Sequence, residues 1–76
     1  MNKERRKELQ KAVEHLQTAS DIIQSCMADE QDYLDNMPEN LQGSERYEMA
    51  ENAVDCLESA SDGLDDIISN VESAME

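Results

Sequence analysis

A lone histidine, His15, two cysteines, Cys26 and Cys56, and nineteen carboxylates are the side chains best able to do acid–base, redox or metal chemistry in this chain. Catalysis needs such groups to converge, and their spacing brings few of them together. His15 stands between Glu14 and Leu16, without the Glu-x-x-His pattern that builds di-metal sites in helical bundles, and reads as a solvated surface side chain. Cys26 and Cys56 lie far apart in sequence and form no Cys-x-x-Cys pair. Without a secretory signal they read as two reduced thiols. The stretch ADEQDYLDN, residues 28–36, is rich in acids but lacks the alternating carboxylates and central glycine of a calcium loop. No phosphate-binding glycine loop or nucleophile elbow occurs. The chain is therefore read as a non-enzyme with no catalytic residue, no metal and no cofactor.

What the carboxylates offer instead is a field. Net charge is −13. Residues 1–11 hold five of the six basic side chains (Lys3, Arg5, Arg6, Lys7, Lys11) against Glu4 and Glu8. After residue 11 only Arg46 is basic, against seventeen carboxylates. Such a field repels nucleic acid and anionic membrane and attracts basic protein surfaces. The partner expected is the basic surface of another protein, with no direct nucleic-acid or membrane contact. No apolar run approaches the ~18 residues of a membrane span, so the expected location is the cytoplasm.

In the second half the acids keep a rhythm. Glu48, Glu51, Asp55, Glu58, Asp62, Asp65 and Glu72 recur in steps of three and four, apart from one gap. On a helix they form a ladder with about one charge per ~5 Å of axis, against one phosphate per ~3.4 Å along a DNA strand. Glu48, Glu51, Asp55, Glu58, Asp62 and Asp65 are the candidate partner-binding residues.

The element that must carry the ladder is a long amphipathic helix. Tyr47, Ala50, Val54, Leu57, Ser61, Leu64, Ile68, Val71 and Met75 alternate the same steps one position away, as a heptad seam. The first half repeats it with Leu9, Val13, Leu16, Ser20, Ile23, Met27, Glu30, Leu34 and Met37. Glu30 and Ser20 are its flaws. Flanking rows at seven-residue spacing, Ala12, Ala19, Cys26 and Tyr33, then Ala53, Ala60, Ile67 and Ala74, are expected to widen the buried stripe. Strands are excluded.

Between the halves lies DNMPENLQGSER, residues 35–46, with the only proline and one of two glycines. Pro38 biases Met37 away from helical angles. Asn36 and Glu39 suggest a capping box for a short turn, Gly43 a left-handed residue, and Ser44 an N-cap with Glu45 and Glu48 at the positive helix end. One all-α domain over residues 1–76 is expected: helix about 3–36, turn about 37–43, helix about 44–75. An antiparallel hairpin reversing near residue 40 pairs seam residues whose numbers sum to about 80. Leu34 then meets Tyr47, Met27 meets Val54, Ile23 meets Leu57, Leu16 meets Leu64, and Ser20 meets Ser61. The basic start is expected to lie beside Asp65, Asp66, Glu72 and Glu76. Gly63 costs ~1 kcal/mol inside the second helix, a cost that close helix approach would explain. Two helices alone bury one seam apiece, so the extra row of Ala and Ile points to another surface and to a four-helix homodimeric bundle.

The segment EQDYLDNMPENLQGSERYE, residues 30–48, resembles one in short acidic helical-hairpin proteins of bacteria and their phages. That resemblance implies the hairpin and a mobile-element setting; the family brings no activity, so no functional residue is carried over. Small acidic phage proteins also include DNA-mimicking inhibitors of restriction and CRISPR nucleases, an analogy of class only. Two functions follow as expectations. One is a non-catalytic inhibitor whose ladder docks on the nucleic-acid groove of a host or defence enzyme. The other is a structural or adaptor dimerisation module whose charge serves solubility.

Overall fold

The computed structural model describes all 76 residues and contains two long helices, α1 (Lys3–Asp35) and α2 (Glu45–Ala74), joined through a 3₁₀ turn at Glu39–Leu41. They pack against each other as an antiparallel hairpin measuring 59 × 14 × 13 Å. Both start on side-chain caps. Asn2 Oδ1 accepts from the Arg5 backbone N–H at 2.8 Å, and Ser44 Oγ accepts from that of Tyr47 at 3.3 Å. Each occupies an otherwise orphaned donor of the first turn.

The reversal differs from the expected one in two ways. Asn36 ends α1 instead of opening the short turn: its side-chain amide donates to the Asp32 carbonyl at 2.8 Å, and its backbone N–H reaches the same oxygen. Orphaned carbonyls at a helix end compete for that amide, and here they win. The 3₁₀ turn starts at Pro38 with no side-chain cap. No residue, Gly43 included, has positive φ. Successive backbone bonds, Leu41 to Pro38, Gln42 to Glu39 and Ser44 to Leu41, spread the reversal over several right-handed residues instead.

The seam closes near the expected register. Leu34, Ala50 and Val54 form a buried cluster with Met27 and Tyr47 packed against it. Gln24 Nε2 donates to Ser20 Oγ (3.1 Å) and Ser61 Oγ (3.4 Å), so the two serines share one layer. Both are buried, and no buried polar side-chain atom lacks a partner. The weakest seam position in each helix is thus satisfied by a single amide.

At the open end the basic residues do not pair with the acids of α2. Arg6 Nε donates to the Met75 carbonyl at 3.0 Å, and the one salt bridge in the chain is Lys11–Glu8 within α1. A guanidinium at a helix C-terminus satisfies a last-turn carbonyl and meets the negative dipole end, which a carboxylate contact would not accomplish. Gly63 faces open space, with nothing within 4 Å of where a Cβ would stand, so close approach inside the hairpin does not explain it.

The core is thin. Eight residues are buried, none completely. Accessible area is 5646 Å², whereas a compact monomer of this mass exposes about 4,700 Å² by the usual scaling. The shape leaves unusual surface to be used.

Candidate functional site

Every seam residue is at least partly withdrawn from solvent: Val13, Ser20, Leu34, Met37, Ala50, Val54, Ser61 and Ile68 are buried, and Leu16, Ile23, Met27, Tyr47, Leu57 and Leu64 are half-buried. Glu30 is half-buried, near the turn. The seam fixes where everything else on α2 must point, because each residue turns the helix by about 100°. Residues just after a seam position go to one flank, and residues just before one go to the other.

The first flank is the carboxylate ladder. Glu48, Glu51, Asp55, Glu58, Asp62, Asp65 and Glu72 are all exposed, and none forms an ion pair within the chain. An antiparallel pair of helices brings equivalent flanks to the same side. The α1 residues on that flank include Gln10, Gln17, Gln24 and Gln31, four exposed glutamines at strict seven-residue spacing, with Glu14, Asp21 and Asp35 interleaved among them. This row is absent from the sequence reading, although its spacing is visible there. Apart from Gln24, whose amide is turned to Ser20 and Ser61, it provides neutral amides next to the charges, able to donate and accept, and contributes no cation that would quench them.

The second flank of α2 is of opposite character. Arg46, Met49, Ala53, Cys56, Ala60, Gly63, Ile67, Asn70 and Ala74 follow one another along it with no carboxylate. It shares a side of the hairpin with Ala12, His15, Ala19, Ile22, Cys26, Asp29 and Tyr33 of α1. An open groove of about 720 Å³ near the turn, lined by Tyr33, Arg46, Met49, Ala50 and Ala53 with Glu30 and Glu45 at its turn end, shows that these rows adjoin. The flanking rows do not widen the buried stripe as expected: Ala12, Ala19 and Ala53 are half-buried, but Cys26, Tyr33, Ala60, Ile67 and Ala74 are exposed. A seam two residues wide already fills a two-helix contact. The second row is left facing outward.

Reactive groups do not converge. Cys26 and Cys56 are free and exposed, His15 is exposed, and no group of three His, Cys, Asp or Glu side chains is placed to hold a metal. No helix is long and apolar enough to cross a membrane. Comparison of the chain with protein-family models, curated proteins and solved structures finds no match.

Proposed function

We propose that the chain is a non-catalytic acidic interaction protein that presents its carboxylate flank to a basic surface on another protein, of the kind that normally holds a nucleic acid. The observation that carries this reading is the uninterrupted, unpaired row Glu48, Glu51, Asp55, Glu58, Asp62 and Asp65. Glu–Lys pairs at i,i+4 would stabilise the same face by ~0.2–0.5 kcal/mol each. The flank forgoes them and accepts like-charge repulsion, which a basic partner would relieve. Charge spacing of the same order as that of a phosphate backbone suits a groove built for DNA or RNA. An inhibitor of a host or defence enzyme is the role such mimicry serves, and a homodimeric four-helix bundle would present one ladder per copy.

The second reading, a dimerisation or adaptor module whose charge serves solubility, is favoured by the exposed apolar flank alone. The two readings part on one variant. With Asp55, Glu58, Asp62 and Asp65 changed to amides, helicity should be retained and capture of basic proteins from a host lysate lost. Undiminished capture by that variant would leave the adaptor reading standing and remove the inhibitor.

A further inference from the structure

We infer that the apolar side of the hairpin is the docking surface for a second copy of this chain, and that the two copies stack with their turns at opposite ends. This does not depend on what the ladder binds.

The surface is defined by exposure and by what it omits. Ile22, Tyr33, Met49 and Ile67 are 59%, 45%, 67% and 48% exposed. All four fall on this one side. From Ala12 to Tyr33 on α1 and from Met49 to Ala74 on α2 it carries a single carboxylate, Asp29, although the chain holds nineteen. The intervening residues are mostly Ala or Gly, so a second pair of helices can approach closely between the large side chains.

Charge selects the occupant. Two copies, each at −13, repel through any other side of the molecule; here alone they can meet without bringing rows of acids together. The area also suffices. One side of a hairpin 59 Å long and 14 Å wide spans roughly 800 Å², the area that a standard interface buries per partner.

Direction follows from the ends. Residues 29–48, at the turn, carry seven carboxylates and Arg46; the open end, residues 1–11 with 65–76, carries five cations and six carboxylates and is close to neutral. Stacking turn on turn would press the two most negative ends together. Stacking turn on open end separates them by most of the helix length, about 45 Å for thirty residues, well beyond the ~8–10 Å screening length at physiological salt. It also lays α1 antiparallel over α1 of the second copy. The basic start of one is then level with the acidic last turns of α1 in the other, where Asp29 lies on the shared side.

The cysteines make the direction measurable. In the proposed stacking Ala19, at the middle of α1, lies next to its own counterpart, while Cys26 is about 20 Å along the axis from either cysteine of the second copy. Turn-on-turn stacking instead sets Cys26 level with Cys56 of the second copy and moves the two Ala19 positions to a diagonal. The test is sedimentation of the native chain at micromolar concentration, followed by mild oxidation and non-reducing electrophoresis. A dimer is expected. An Ala19→Cys variant carrying Cys26→Ser and Cys56→Ser should cross-link to near completion, and the native chain should give no covalent dimer. Met49→Lys with Ile67→Lys should raise the dimer dissociation constant at least 100-fold, whereas Gln17→Lys with Glu58→Lys, on the opposite side, should not. A monomeric native chain overturns the inference, and so does dimerisation indifferent to Met49→Lys and Ile67→Lys. A covalent dimer of the native chain overturns the direction. The native-chain outcomes do not depend on any variant folding.

Discussion

The two flanks of α2 share one backbone and one heptad rhythm, yet Glu51, Glu58 and Asp65 line one of them while Ala53, Ala60 and Ile67 line the other. A hairpin that needed only solubility would distribute its charge around both. Segregation leaves one side whose field attracts cations and another that could be covered with little charge to bury. The divide continues across α1, where glutamines at positions 10, 17, 24 and 31 extend the polar side and Ala12, Ala19, Ile22 and Cys26 extend the apolar one.

The seam underlies both sides, so the largest effect should come from damaging it. Leu34→Ala removes a buried side chain from the Leu34, Ala50 and Val54 cluster and should cost about 2–5 kcal/mol, a large share of the stability of so small a domain. Urea titration followed by circular dichroism measures it, and both flanks should lose function together. A cost below 1 kcal/mol would mean that this cluster does not hold the hairpin.

Next in size is the asymmetry itself. Changing Asp55, Glu58, Asp62 and Asp65 to amides should lower affinity for a captured basic protein by at least 100-fold, about 2.7 kcal/mol. Thermal stability should hold or rise slightly as like-charge repulsion at i,i+3 and i,i+4 is relieved. A marked fall in stability would show that the ladder is a structural element of the fold.

Smaller effects probe the ends and the middle layer. Ser44→Ala removes the N-cap of α2 and should cost about 1 kcal/mol. Arg6→Ala loses the contact with the Met75 carbonyl and should cost about 0.3–1 kcal/mol, less at high salt. The Ser20→Ala and Ser61→Ala double variant should be close to neutral, because the two hydroxyls leave the core together and Gln24 can turn to solvent. Differential melting of the three variants at one protein concentration ranks them.

The helical hairpin was legible because seam spacing and breaker residues point the same way, and the Ser20–Ser61 coincidence located the register to within a residue. The turn was harder. Asn36 was read as opening the short turn, and whether it does so or caps the end of α1 is decided by competition among backbone groups a few ångströms apart. Gly43 misled because a glycine after a helix permits a left-handed residue without requiring one. The contact of Arg6 with a carbonyl was hidden because net charge draws attention to carboxylates, whereas the nearest acceptor at a helix end is backbone. Of the candidate site, the ladder was readable directly. Its glutamine neighbours and the shared side of Ile22, Tyr33, Met49 and Ile67 required the two helices to be placed side by side.

The most direct test concerns the ladder's resemblance to a phosphate backbone. A basic protein retained by the immobilised hairpin is purified, and its affinity for the hairpin is measured against salt, with and without duplex DNA. Affinity is expected to fall steeply as salt rises, and DNA should displace the hairpin from one shared groove. Affinity that is flat with salt, or a ternary complex of protein, DNA and hairpin, would contradict the proposal.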